Sequence, residues 1–148
     1  MKVQTTKLID AHQTGRAMHR LVNKFYTDMS PYAGLSYHEM YDIIKKIPFH
    51  ADPPNMEVIK RPFYTMNQIG PGGDCDDKAI AMASYAKLVG IPYKFIGVGK
   101  KNPKYKKILL SHVFTQLYIS GDWINADCTY PFNILGKVRE TYQRVEVL

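Results

Sequence analysis

The stretch with the clearest chemical character is Gly72-Gly73-Asp74-Cys75-Asp76-Asp77, which follows Gly70 and Pro71 and runs into a helix-forming segment over residues 78–89. Asp74 suits an N-cap, because its carboxylate can accept from an unpaired amide of the first turn. That cap puts Cys75 at the first helical position, where aligned peptide dipoles and free amides favour thiolate over thiol. The same amides can hold a developing oxyanion. The residue types fit a cysteine nucleophile; the alternative is a small buried residue that begins a helix.

A nucleophile needs a base, and the base needs a group that orients it. In the strand-like run 108–119, His112, Phe114, Gln116 and Tyr118 share one face, and Val113, Thr115, Leu117 and Ile119 the other. In the run 123–127, Trp123, Asn125 and Asp127 share a face. If the hairpin turns on two residues, Ser120-Gly121, Ile119 faces Asp122 and Phe114 faces Asp127. His112 is then the diagonal neighbour of Asp127, about 7–8 Å away along the backbone and within side-chain reach. A three-residue turn would put the two on opposite faces. The expectation is the two-residue turn.

With that geometry, Cys75 attacks a carbonyl carbon, His112 holds its proton and later delivers it to the leaving group, and Asp127 fixes the imidazole tautomer. The Cys75 amide is one oxyanion donor, and Gln68 or Asn67 a candidate second. Trp123 is either core or an apolar wall of the site, which would strengthen a thiolate–imidazolium pair. Taken singly, His112 also reads as a half-buried strand residue and Asp127 as a turn initiator. Asp74, Asp76 and Asp77 crowd the thiol, and like charge raises a thiol pKa. The expectation is that Asp74 serves as the cap while Asp76 or Asp77 points away or pairs with lysine. Two cysteines, Cys75 and Cys128, make no disulfide framework; one bridge between them is possible on count and would abolish this chemistry.

These residues resemble the transglutaminase-like superfamily of cysteine acyl-transfer enzymes, a branch of the papain-like architecture. The resemblance rests on Gly-Gly-Asp-Cys-Asp-Asp at 72–77, Val89-Gly90-Ile91-Pro92, Ser111-His112-Val113-Phe114, and Trp123-Ile124-Asn125-Ala126-Asp127-Cys128-Thr129. It covers residues 60–130 and implies a Cys–His–Asp triad, with the cysteine on a helix and the other two on adjacent strands. It is nearest the small stand-alone type of bacteria and tailed phages. Many such relatives carry proline after the aspartate, where this chain has Cys128. The superfamily holds crosslinking transferases, peptidases, deglycosylating amidases and inactive relatives, so the fold does not choose the reaction.

The elements that must position these groups follow from periodicity. From Leu8, the positions Ala11, Met18, Leu21, Val22, Phe25 and Met29 recur at helical spacing, with His12, Arg16, Arg20 and Lys24 on another, solvated face, until Pro31 and Gly34. Ser36 and Glu39 form a capping-box pattern ahead of a second helix through Ile47, stopped by Pro48. Residues 50–62, with Pro53 and Pro54, read as an irregular connection. The helix from Cys75 is apolar over most of its circumference, which predicts a central helix ended by Gly90 and Pro92. Strands are expected over 93–98, 108–119, 123–127 and 138–147. Helices first and mostly antiparallel strands after give an α+β fold with a papain/transglutaminase-like core, in one domain: a helical part over 1–60 and a catalytic core over 61–148.

Composition narrows the function. An apolar share of 45% and a charged share of 22% are those of a globular protein. Residues 1–10 lack the apolar core of a signal peptide, and no apolar run spans a bilayer, so no membrane role and cytoplasmic residence are expected, unless the protein is carried out in a larger assembly such as a virion. No paired-cysteine or paired-histidine motif occurs, and Asp74-x-Asp76 lacks the rest of a calcium loop, so neither metal nor cofactor is expected. The net charge of +7 favours anionic partners. Five lysines, Lys100, Lys101, Lys104, Lys106 and Lys107, cluster in one segment suited to DNA or an acidic partner protein. Two functions stand: a cysteine-dependent hydrolase or acyl transferase acting on a peptide or protein, and a phage structural or assembly protein that retains the fold.

Overall fold

The computed structural model describes residues 3–7, 10–52, 56–70, 73–137 and 140–148. Its centre is α4 (Cys75–Val89), in which every residue from Asp76 to Ala86 is buried. Small residues on nearly all sides let neighbours approach from every direction. Asp74 caps the helix, accepting from the amides of Asp76 and Asp77, and the Asp77 carboxylate returns a bond to the Asp74 amide to complete a capping box. The helix ends at Gly90 in the left-handed conformation, as the Gly-Ile-Pro sequence predicts.

One side of α4 packs on a four-stranded antiparallel sheet of order β5-β4-β3-β6. Its strands are β3 (Tyr93–Gly99), β4 (His112–Ile119), β5 (Asp122–Ala126) and β6 (Arg144–Val147). Alternation sends Phe95, Val113 and Leu117 into the core, and the buried Thr115 hydroxyl donates to the Ala79 carbonyl of α4 at 2.8 Å. The turn between β4 and β5 is the two-residue type: Ile119 pairs with Asp122, and Ser120 and Gly121 have φ of 52° and 88°. Two consecutive left-handed residues give the twist that an antiparallel pair demands. β4 starts at His112 rather than residue 108, and of the strand expected over 138–147 only Arg144–Val147 is paired, with residues 138 and 139 outside the described set.

The other sides of α4 are covered from the N-terminal half. α1 (Ala11–Phe25) buries Ala17, Met18 and Val22 and leaves Arg16, Arg20 and Lys24 exposed; Leu8 lies outside the described residues. The chain then tightens into a 3-10 helix (Tyr26–Tyr32) that contains Pro31 and still buries Met29. α2 (Tyr37–Lys45) carries the expected Ser36–Glu39 capping box and buries Met40, Tyr41 and Ile44.

The first sixty residues are not all helical. β1 (Val3–Lys7) pairs antiparallel with β2 (Met56–Lys60), so part of the expected irregular connection is a strand, followed by the short α3 (Pro62–Met66). The segment between α2 and β2 runs beside the start of α4. Phe49 forms a parallel bridge with Gly73, and the His50 amide donates to the Gly73 carbonyl at 3.4 Å. Pro53 and Pro54 lie outside the described residues. Residues 100–111 close on themselves: the Ser111 amide donates to the Val98 carbonyl at 2.9 Å, and a Cβ on Gly99 would lie 1.8 Å from the Leu109 carbonyl oxygen.

Candidate active site

Cys75 stands at the first position of α4, half-buried, at the positive end of the helix dipole. It lines a cavity of about 400 Å3 together with His112, from the start of β4. The cavity's apolar walls include Met18, Leu110, Val113 and Leu148, and one end is rimmed by Phe49 and Asp52.

Just past the end of β5, Asp127 meets His112: Nε2 donates to Oδ2 at 2.7 Å. The parity of the Ser120-Gly121 turn therefore brings the two groups together, as the two-residue turn requires. The Asp127 carboxyl is desolvated, which pushes its pKa up, but hydrogen bonds from His112 and Thr129 outweigh burial and hold it below the ordinary carboxylate range. An ionised Asp127 has no proton to give, so Nε2 carries one, and Nδ1 is the ring nitrogen that lacks a proton in the neutral imidazole.

Asp127 is itself held from several directions. Its Oδ1 accepts from the Thr129 amide at 3.1 Å and the Thr129 hydroxyl at 2.6 Å. Its carbonyl accepts from the Tyr41 hydroxyl at 3.0 Å and Asn133 Nδ2 at 3.1 Å. Lys78, one turn along α4 from Cys75 and fully buried, donates to the carbonyls of Ile47 at 2.6 Å, Thr129 at 2.8 Å and Lys45 at 3.4 Å. Burial pulls its pKa down, while the three carbonyls match the three protons of an ammonium. One side chain thus ties the nucleophile's helix to the loop carrying Asp127 and to the end of α2.

The acidic residues around the thiol divide their roles. Asp77 turns away, accepting from the Lys60 amide at 2.9 Å. Asp74 is the cap; burial, the Asp77 charge and a hydrogen bond with Asp52 push its carboxyl well up. Asp76 does not point away: the Cys75 thiol donates to its Oδ1 at 3.7 Å. Asp52, Asp74 and Asp76 also have oxygens within 4.8 Å of one another. They form an acidic rim whose Asp52 member comes from the segment read as irregular.

Both cysteines are free, which removes the bridge as an alternative. Cys128 is 2% exposed, and burial followed by the Asp127 charge pushes its thiol far up. Two other expected members stand elsewhere. Gln68, in the left-handed conformation just past α3, lines a separate cavity of about 100 Å3 with Pro48, His50 and Gly73. Asn67 donates back to the Phe63 carbonyl at 2.8 Å. Trp123 is neither core nor site wall. It is the second residue of β5, near the turn, four residues or about 13 Å of strand from Asp127, and packs on Tyr118 with Lys94 Nζ 4.0 Å from its ring centre. Gly72 lies outside the described residues.

Tyr41, Lys78, Thr129, Asn133 and Asp52 were not foreseen as members of the site. Only Lys78 left a trace, as a lysine interrupting a helix apolar on nearly every side.

Residues 20–128 match the family model of the Transglutaminase-like superfamily. The chain belongs to the transglutaminase-like superfamily. The match takes in Cys75, His112 and Asp127, and a helix bearing the cysteine, packed on an antiparallel sheet, is the arrangement the family resemblance implies. No curated protein matches the chain. Among solved structures, one from Cytophaga hutchinsonii, called a "Putative Cysteine Protease", aligns with 99% of this transglutaminase-like chain at 14% identity and a TM-score of 0.46. The chain spans 62% of the length of that protein. Among the described residues, no helix is long and apolar enough to cross a membrane.

Proposed function

We propose that the protein is a cysteine-dependent hydrolase of amide or peptide bonds, or an acyl transferase, that works through a thioester. The observation that carries this reading is the 2.7 Å pairing of His112 with Asp127 at a cavity that also contains Cys75 at a helix start. The thiol gives its proton to His112 Nδ1, and the thiolate attacks the amide carbonyl. The resulting oxyanion is met by the Cys75 amide and the helix start. As the C–N bond breaks, the imidazolium delivers its proton to the departing amine, leaving a thioester on Cys75. Water or a second amine then attacks the thioester with His112 as base, and Cys75 leaves as the thiol. Asp127 keeps the imidazole in the tautomer that presents Nδ1 and steadies its cationic form.

Alkylation with limiting iodoacetamide across pH 5–9 tests this reading. Cys75 is expected to react well below the free-thiol pKa of about 8.5 and to lose that advantage in His112→Ala. Free-thiol behaviour at Cys75, or preferential labelling of Cys128, would overturn the enzyme reading. Salt-dependent DNA retention that survives Cys75→Ala would favour an assembly role through the lysine segment instead.

A further inference from the structure

The lysine segment and one wall of the catalytic cavity belong to one loop. Lys100, Lys101, Lys104, Lys106 and Lys107 are all exposed, and Lys100 is tied to Glu140 at 2.9 Å. Among the described residues, no carboxylate pairs with the other four. Immediately after them, Leu109, Leu110 and Ser111 form part of the cavity wall that also holds Cys75 and His112. Only Ile108 separates Lys107 from Leu109, a span of at most about 7 Å. An extended chain bound across Cys75 and leaving past Leu109 would pass close to the end of this lysine segment.

Charge is graded along that route. The catalytic end is acidic, with Asp76 against the thiol and the Asp52 carboxylate within 4.8 Å of that of Asp76. The middle is apolar, and the outer end is basic. An acidic side chain next to the reacting bond would be repelled by Asp76; the same side chain a few residues farther out would meet lysines. A phosphate backbone suits this route poorly, since it would bring anionic groups to the carboxylates as well as to the lysines.

We infer that residues 100–107 receive an acidic stretch of a polypeptide substrate, about two to five residues from the bond that Cys75 attacks, with an apolar side chain in the cavity between. This rests on the thioester reading of Cys75. It adds the substrate class: polypeptides with an apolar residue at the reacting position and Asp or Glu set back from it.

The test uses two series of thiol-reactive peptides, one for each chain direction: iodoacetyl-Leu-Gly followed by three Glu, three Gln or three Lys, and the same triplets followed by Gly-Leu-chloromethyl ketone. Iodoacetamide is the reference. In one series the Glu probe should modify Cys75 roughly tenfold faster than its Gln counterpart at low salt, with the Lys probe slowest. The preference should fade at about 0.5 M salt. It should vanish in the combined variant Lys101→Gln, Lys104→Gln, Lys106→Gln, Lys107→Gln, while the iodoacetamide rate at Cys75 is unchanged. Equal Glu and Gln rates in both series, or a Glu preference that survives the lysine substitutions, would refute it. Oligonucleotide retention with the same lysine dependence and no Glu preference would overturn it in favour of nucleic acid. Failure of the thioester reading is seen separately, in the pH profile of iodoacetamide alone, because the Glu-to-Gln ratio does not depend on thiol activation.

Discussion

Asp76 limits how readily Cys75 ionises, because its carboxylate faces the sulfur while the helix start opposes it. Asp76→Asn should move the midpoint of Cys75 alkylation to lower pH, by about one unit, read from iodoacetamide rates between pH 5 and 9. Asp127 makes the opposite kind of contribution. Its folded-state pKa is depressed, so the stability it supplies is present above the ordinary carboxylate value of about 4 and is lost as pH falls through the folded value. Asp127→Asn should lower the urea midpoint at pH 7 and flatten its fall between about pH 5 and pH 2. It should also depress turnover by two or more orders of magnitude, since an amide holds the imidazole in the wrong tautomer. The role of Asp74 was legible in the sequence, because capping depends only on the residues that follow within one turn. That of Asp52 was not: it reaches Asp74 and Asp76 by chain path, and nothing local marks a carboxylate arriving from another segment.

Between elements, the two-residue turn sets the pairing of His112 with Asp127 on which the proposed chemistry rests. One glycine inserted between Ser120 and Gly121 should flip the face on which Asp127 lies and cut activity to the level of Asp127→Ala, with far-UV circular dichroism unchanged. Lys78→Ala removes the donor shared by three carbonyls and leaves a cavity beside α4. It should cost about 3–5 kcal/mol in urea unfolding. The β4–β5 hairpin could be read from sequence because alternation and a Ser-Gly turn specify it within fifteen residues. β1 and β2 could not, since two five-residue strands joined across some fifty positions carry no turn that announces their partnership. The helix expected to run through Met29 changes to a 3-10 turn after Phe25, yet its apolar spacing persists, so the pattern predicts what is buried and misses the tightening.

For the molecule as a whole, Cys128 is a built-in reporter. Its thiol sits at 2% exposure inside the core cluster around α4, so alkylation there should follow global opening, while Cys75 reacts from the native state. The rate of Cys128 labelling should rise with urea in parallel with loss of near-ultraviolet circular dichroism; fast labelling in native buffer would show that the sheet opens locally. The positive charge was plain from composition, but its nearness to the cavity was not, because it depends on where residues 100–111 fold back. That return is pinned at its base by the close approach of Gly99 to Leu109, so the interior contributes little to the frame that holds the triad. Loop closure grows costlier only slowly with length, by roughly 0.6 kcal/mol per doubling. On the proposed reading, evolution could therefore exchange this segment like a cassette, retargeting the scaffold to a different protein while the reaction chemistry is inherited intact.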